Sequence, residues 1–248
     1  MSRVLTAMPV YNEIKLIGGV LDQVLEFCPD VLTVNDGSTD GTSEYLESRS
    51  DIRIVHHDRN RGYGAALRSA FDYAQDQQFD ILVTIDADGQ HDPHRIPHFA
   101  MAADDFDIVS GSRYLKEFPD NTPAPLQRRF INQRVTAELN RRLGYHLTDA
   151  FCGFKAYRVE ALKHLSINEN GYAMPLELWV KAAAANLSVT EVAVPRIYLD
   201  ATRTFGGVLD DAETRLEYYH LVIDRSIAAA EALGGNLRRG TLCGEATL

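Results

Sequence analysis

The chain reads as an α/β protein, a mostly parallel sheet flanked by helices with a helical appendage at the C-terminal end. Three observations carry that reading. Short segments dominated by Val, Ile and Leu recur through residues 1–115, and they are apolar on both faces. Helix-like segments separate them, and each notable polar cluster follows directly on the end of an apolar segment. Strands that are apolar on both faces need cover on both sides, which the crossover helices of a parallel sheet provide. Ligands of such sheets bind beyond the carboxyl ends of the strands.

"RVLTAMPV" is the first strand, and "PVYNE" ends it. Over 14–27, Ile14, Ile17, Val20, Leu21, Val24 and Leu25 recur at helical spacing. "DVLTVND" is the second strand; its tail "NDGSTD" is a turn feeding a helix, with Ser38, Thr39 or Asp40 suited to cap it. "DIRIVHH" is the third. "RNRGYGAA" then opens a helix over 64–77 along Ala65, Leu67, Ala70, Phe71 and Ala74. Gly62 and Gly64 suit close helix–sheet packing there, since the spacing is not that of a P-loop and no Gly-Lys-Ser/Thr follows. "FDILVTID" is the fourth strand and runs into "DADGQH". Asp92 before Pro93 starts another helix, with Pro97 as a bend in it. "FDIVSGS" is the fifth strand, followed by Arg113.

Beyond residue 115 the pattern loosens. Residues 117–127 are a Pro-rich loop, and "RRFINQRVTAELNRRLG" is a basic helix ended by Gly144. A helix over 174–186 precedes the strand-like "LSVTEVAVP". "DATRTFGG" reads as a mobile loop, and 210–233 as an amphipathic helix with Leu216, Tyr219, Ile223 and Ile227 on one side. Residues 234–248 are expected to fray.

The bulk numbers exclude several classes. A chain of 248 residues that is 45% hydrophobic can bury a full α/β core. Its formal net charge of -10 argues against a nucleic-acid reader, which needs a basic footprint. Cys28, Cys152 and Cys243 lie too far apart for a metal motif and suit reduced thiols in the cytoplasm. "MSRVLTAMPV" turns polar too soon for a signal peptide. No run approaches the roughly 18 apolar residues of a membrane span. The expectation is a cytoplasmic protein, soluble or peripheral on the inner face of a membrane.

The chemistry concentrates in "TIDADGQH". If residue 85 ends a strand, the period of two puts Asp86, Asp88 and Gln90 on one side. Three oxygen donors at a strand end suit Mg²⁺ or Mn²⁺, which keeps positions open for substrate phosphates. A plain Asp-Gly turn explains the same residues. Asp36 stands where a ribose hydroxyl or base edge could be met, Glu13 could cap or bind, and Tyr11 could stack on a base. Arg113 is either a phosphate contact or a solvated arginine. Helix 128–142 carries Arg128, Arg129, Arg134, Arg141 and Arg142 in an acidic chain, so it is either a solvated face or a patch for anionic lipid.

Taken together, "PVYNE", "NDGSTD", "RNRGYGAA", "DADGQH", "SGSRY" and "TDAFCGFKAYR" resemble, in sequence and spacing, family 2 of the glycosyltransferases. The closest likeness is to the dolichyl-phosphate mannosyltransferase and polyprenyl-phosphate glycosyltransferase branch, over residues 3–210. The resemblance implies a GT-A fold, a nucleotide-sugar donor of GDP-mannose or UDP-glucose type, a divalent metal and a polyprenyl or dolichyl phosphate acceptor. It makes 1–209 one catalytic domain, with 1–115 the nucleotide-sugar half and 116–209 the acceptor half.

Residue by residue, the resemblance implies that Pro9, Tyr11, Glu13, Val34 and Asp36 form the nucleoside pocket. Asp86, Ala87, Asp88 and Gln90 become the donor-phosphate and metal site, with Asp88 and Gln90 as direct ligands. Arg113 resembles an arginine that meets donor or acceptor phosphate; Arg128 or Arg129, with Asn132, resembles the acceptor-phosphate clamp; Arg203 resembles an arginine on a closing loop. The chain departs from the family where Asn35 and Asp36 replace two aspartates, and where "RTFGGVL" lacks a Ser-Lys pair. The implied reaction is inverting hexose transfer. A phosphate acceptor needs little help from a base, whereas a hydroxyl acceptor would need one, for which Asp149 is the candidate. The competing readings are a soluble glycosyltransferase with a small hydroxyl acceptor, a nucleotidyltransferase, and a sugar-nucleotide sensor without turnover. A homo-oligomer or a membrane-protein partner is left open.

Overall fold

The computed structural model describes residues 2–199, 207–234 and 237. Arg203, Cys243 and most of the expected tail lie outside the described residues. One seven-stranded sheet runs through the protein, built from β1 (Val4–Val10), β2 (Val31–Asn35), β3 (Arg53–His56), β4 (Ile81–Thr84), β5 (Ile108–Ser112), β6 (Lys155–Arg158) and β7 (Val189–Ala193). Their order across the sheet is β3-β2-β1-β4-β6-β5-β7. All pairings are parallel except those of β6, which runs antiparallel to β4 and β5.

The helices are α1 (Ile17–Phe27), α2 (Thr42–Glu47), α3 (Tyr63–Asp76), α4 (Ile96–Ala102), α5 (Leu126–Leu143), α6 (Val159–Leu162), α7 (Met174–Ala184) and α8 (Ala212–Ala232). Alternation along the strands divides the core between the two faces. Leu5, Ala7, Leu32, Val34 and Leu82 join one cluster with side chains of α3, α5, α7 and α8; Met8, Val10, Val31, Ile81 and Val83 join the other with α1 and α4. Both faces are therefore apolar for the reason that the run-like strand sequences suggest.

Several ends are set by local chemistry. α5 stops at Gly144, whose φ of 74° is the left-handed C-cap conformation that glycine adopts without penalty. α8 begins at Asp211, whose side chain accepts from Thr214 N at 2.8 Å. Asp92 accepts from His94 N ahead of a short 3₁₀ turn, and Pro97 then falls in the first turn of α4 and produces no break.

β6 is the strand that the sequence conceals. "KAYR" carries two cations and no branched residue, yet it lies between two other strands. Lys155 is buried, with Nζ donating to the Cys152 carbonyl and lying 5.3 Å from the centre of the Trp179 ring. Burial drives its pKa below the ordinary lysine value.

The order places β1 beside β4, where successive crossovers turn to opposite sides. That switch point opens a crevice at the carboxyl ends of the strands. The segments after β1, β2, β4 and β5 all converge there.

Candidate active site

A cavity of about 580 Å³ occupies this crevice. Pro9, Tyr11, Glu13, Asp36, Asp86, Ala87, Asp88, Gln90, Arg113, Arg128 and Asn132 line it. Val34 is buried in β2 behind the wall, Arg129 is exposed on the outer side of α5, and Asp149 lies fully buried behind Arg113.

The chain leaves β4 at Thr84 and enters a turn, so a turn rather than strand alternation sets the acidic pair. Gly89 takes a φ of 72° within it. Asp88 folds back on the turn: Oδ1 accepts from Gln90 N at 3.0 Å and Oδ2 from Gln90 Nε2 at 2.8 Å. Asp86 accepts from Tyr63 OH through Oδ1 and from His91 Nε2 through Oδ2, both at 3.1 Å. Burial would raise the Asp86 pKa, but His91, Tyr63 and the Lys155 charge together hold the carboxyl below its ordinary range. A Cβ on Gly153 would come within 2.3 Å of Asp86 Oδ2, so glycine at 153 makes room for this carboxylate.

Asp86, Asp88 and Gln90 all line the cavity, and each carries a side-chain oxygen. Among the described residues no group of three or more His, Cys, Asp and Glu side chains gathers into a closed cage. A hard cation bound through one or two carboxylates, with phosphate oxygens completing its shell, fits that donor chemistry.

Asp36 is engaged by its own fold. Oδ1 accepts from His57 Nδ1 at 2.6 Å and Arg61 N at 2.9 Å; Oδ2 accepts from Gly62 N at 2.8 Å. With Nδ1 donating, His57 Nε2 accepts from the Ser69 hydroxyl at 2.8 Å. Asn35, at the departure from the paired aspartates, donates to Ser43 Oγ and accepts from Ser38 N, closing the turn after β2. At the start of α3, Gly62 N donates to Asp36, and the Cα faces of both glycines meet the 169–171 segment. The Asn170 carbonyl accepts from Gly64 N at 2.7 Å, and a Cβ on Gly64 would sit 2.2 Å from the Glu169 carbonyl oxygen. They pack against the 169–171 segment, correcting the expectation of helix–sheet packing.

Arg113 lies flat against Asp149, with Nε 2.6 Å from Oδ2 and a terminal nitrogen 3.0 Å from Oδ1. Asn132 Nδ2, at 2.7 Å, and Phe151 N also donate to Oδ1. Burial would raise the Asp149 pKa, but the Arg113 charge and these bonds hold it below the carboxylate range. Glu191, buried on β7, accepts from Thr148 N, Thr148 Oγ1 and Asp149 N, fixing the backbone that carries Asp149. Desolvation raises its pKa to about 7.

The far half of the cavity is walled by Ile131, Phe151, Tyr172, Pro175 and Tyr198, and by Arg215 and Tyr219 of α8. α8 packs on α7 and α5, so the expected appendage is part of the wall. Tyr63 and Arg215 line the cavity, while His57, His91 and Glu191 brace Asp36, Asp86 and the Asp149 backbone; the sequence reading gave none of them a role. For His57 and His91 a signal existed, because both stand in the polar clusters after strands. Tyr63 stands in the "RNRGYGAA" motif, and nothing local marked Glu191 or Arg215.

The Glycosyl transferase family 2 model matches residues 6–166. An undecaprenyl-phosphate mannosyltransferase of Micrococcus luteus is 30% identical over 223 residues, covering 85% of this chain and 90% of that protein. A polyprenol monophosphomannose synthase of Mycolicibacterium smegmatis is 30% identical over 205 residues, covering 77% and 76%. Among solved structures, glucosyl-3-phosphoglycerate synthase from Mycobacterium tuberculosis, in complex with Mn²⁺, UDP-glucose and phosphoglyceric acid, superposes with a TM-score of 0.66 at 17% identity, covering 92% of this chain and 80% of that one.

Proposed function

The chain belongs to glycosyl transferase family 2 and is a glycosyltransferase of GT-A fold, and from the cavity we propose that it moves a hexose from a nucleoside-diphosphate sugar to a polyprenyl or dolichyl phosphate, inverting the anomeric carbon. The observation that carries the acceptor class is the state of Asp149. A general base must be able to take a proton near neutral pH and must reach its substrate. Asp149 is buried, fully bonded and held at low pKa by Arg113. Among the described residues, the far half is walled by an arginine, aromatics and aliphatics, with Arg113, Arg128 and Asn132 also lining the cavity and no carboxylate in that half. Such a surface suits an acceptor that arrives already ionised and carries an apolar chain. Both curated relatives are named for polyprenyl-type acceptors, which supports the same reading.

In this reading the donor's nucleoside lies along Pro9, Tyr11, Glu13 and the Asp36 turn, and its diphosphate reaches Asp88 and Gln90. A bound Mg²⁺ or Mn²⁺ supplies the positive charge that a departing diphosphate needs. Tyr63 and His91 orient Asp86 and keep it ionised. Arg113, fixed in the plane of Asp149, presents guanidinium N–H groups toward phosphate without reorganising during the reaction. The donor sugar is of mannose or glucose type.

The outer face of α5 supports a membrane-bound acceptor. Leu126 and Phe130, one turn apart, are 85% and 56% exposed, and Arg129 and Arg134 flank them. Among the described residues no helix is long and apolar enough to cross a membrane. Contact with the cytoplasmic face of a bilayer through this surface fits both facts.

The test is transfer from GDP-mannose and UDP-glucose, each with Mn²⁺, to farnesyl phosphate and to farnesol. Label entering farnesyl phosphate alone is the expected result. Label entering farnesol in preference would overturn the phosphate acceptor.

A further inference from the structure

The start of α3 is where a distant part of the chain meets the acidic turn. The first-turn donors of a helix have no partner within it, and among the described residues no side chain caps this one. Instead Gly64 N and Ala65 N both donate to the Asn170 carbonyl, at 2.7 and 3.2 Å. Arg68, further along α3, donates to the Glu169 carbonyl at 3.3 Å and to Asn170 Oδ1 at 2.5 Å. Tyr172, two residues on, stacks on Tyr63 with ring centres 5.8 Å apart. Segment 168–172 thus fixes the residue that opens α3, and the hydroxyl of that residue, Tyr63, donates to Asp86.

The segment is itself held through one carboxylate. Glu169 is 4% exposed. Its Oε1 accepts from Gly171 N at 2.8 Å and from Tyr218 OH of α8 at 2.7 Å, and its Oε2 accepts from Arg225, also of α8. Glu177 of α7, buried as well, accepts from Asn168 N and Glu169 N. A buried ion pair that loses one charge leaves the other uncompensated, so neutralising Glu169 loosens the hold of α8 on the segment. Asp86 keeps its His91 bond in that case, which makes the expected loss at Asp86 partial.

We propose that Glu169 is a positioning residue for the transfer reaction. Fastened to α8 by Arg225 and Tyr218, it holds segment 168–172 over the start of α3, and through Tyr63 it sets the orientation of Asp86. The proposal rests on the preceding reading of Asp86 as part of the donor-phosphate and metal site. Partners behind a ligating side chain tune its affinity for the cation. Glu169 therefore acts on cation binding from outside the cavity, and α8 acts on the donor half through it.

The experiment titrates Mn²⁺ into the protein with excess GDP or UDP and reads free Mn²⁺ by electron paramagnetic resonance. Tyr63→Phe keeps the ring and removes the hydroxyl; its Mn²⁺ Kd rises about tenfold, the lower scale for loss of a partner behind a metal ligand. Glu169→Gln raises Kd about fivefold, within the coupling found inside one bonded network. The double variant stays at about tenfold, because Glu169 acts through a hydroxyl that is already gone. A Glu169 that only stabilises the fold lowers Tm and leaves Kd alone. An unchanged Kd in either single variant, or a rise of about fiftyfold in the double variant, overturns the proposal. If melting shows that Glu169→Gln does not fold, Arg225→Met takes its place under the same criteria, at a side chain that is 48% exposed. A wild type that binds no Mn²⁺ with either nucleotide sinks the preceding reading and the proposal with it. Binding by wild type with independent effects of the two substitutions sinks the proposal alone.

Discussion

Asp149→Asn keeps the shape of the side chain and removes its charge. The wild-type carboxylate is fully buried and takes two bonds from the Arg113 guanidinium, one from Asn132 and one from Phe151 N. Asparagine retains one acceptor oxygen and turns an amide NH₂ toward donors, so at least one buried donor is left facing another. Removing one partner of a buried ion pair costs about 3–5 kcal/mol. The Arg113 side chain remains 18% exposed at the cavity. Water can therefore reach the stranded guanidinium, and the lower end, about 3 kcal/mol, applies. For a protein of this size that is a fall in Tm of roughly 6–12 °C. The pH dependence follows from the lowered Asp149 pKa. The pair's contribution is present above the unfolded carboxylate pKa, near 3.9, and is lost as pH falls through the lower folded value. Calorimetry at pH 7 checks the magnitude. A variant melting within about 2 °C of wild type would refute the view that Arg113 is held by this charge.

Glu191 runs the opposite way, because desolvation raises its pKa from 4.5 to about 7. Its penalty is absent below pH 4.5 and complete above about 7, on the order of 3 kcal/mol at most, so wild type should lose stability across that window; Glu191→Gln should flatten the slope of Tm against pH there, and an unaltered slope counts against the assignment. Donor nucleotide with Mn²⁺ at 100 times its Kd should stabilise wild type by about 2.7 kcal/mol. Asp88→Ala should abolish the Mn²⁺-dependent part of that shift, and a full shift in the variant would place the ligand elsewhere. The double variant Leu126→Ser, Phe130→Ser should lose co-sedimentation with vesicles containing anionic lipid while keeping turnover on farnesyl phosphate in solution; undiminished sedimentation would show that another surface meets the bilayer.

Much of the architecture was legible because it depends on near neighbours in sequence. The five N-terminal strands, the helix closed by Gly144 and the segments that leave the strand ends follow from runs of Val, Ile and Leu and from capping chemistry. β6 was not legible, because the partners of the mid-sheet Lys155, the Cys152 carbonyl and the Trp179 ring among them, are supplied by the fold. The acidic pair was visible as composition, but its geometry was not: a turn bends Asp88 onto Gln90, and Tyr63 and His91 orient Asp86.

By itself, then, the sequence determined which residues stand at the rim of the sheet, since period and punctuation are properties of adjacent residues. Tertiary structure alone decided what those residues can do. Asp149 is paired with Arg113 and α8 lines the cavity, because charge pairing and burial depend on groups brought together from distant parts of the chain.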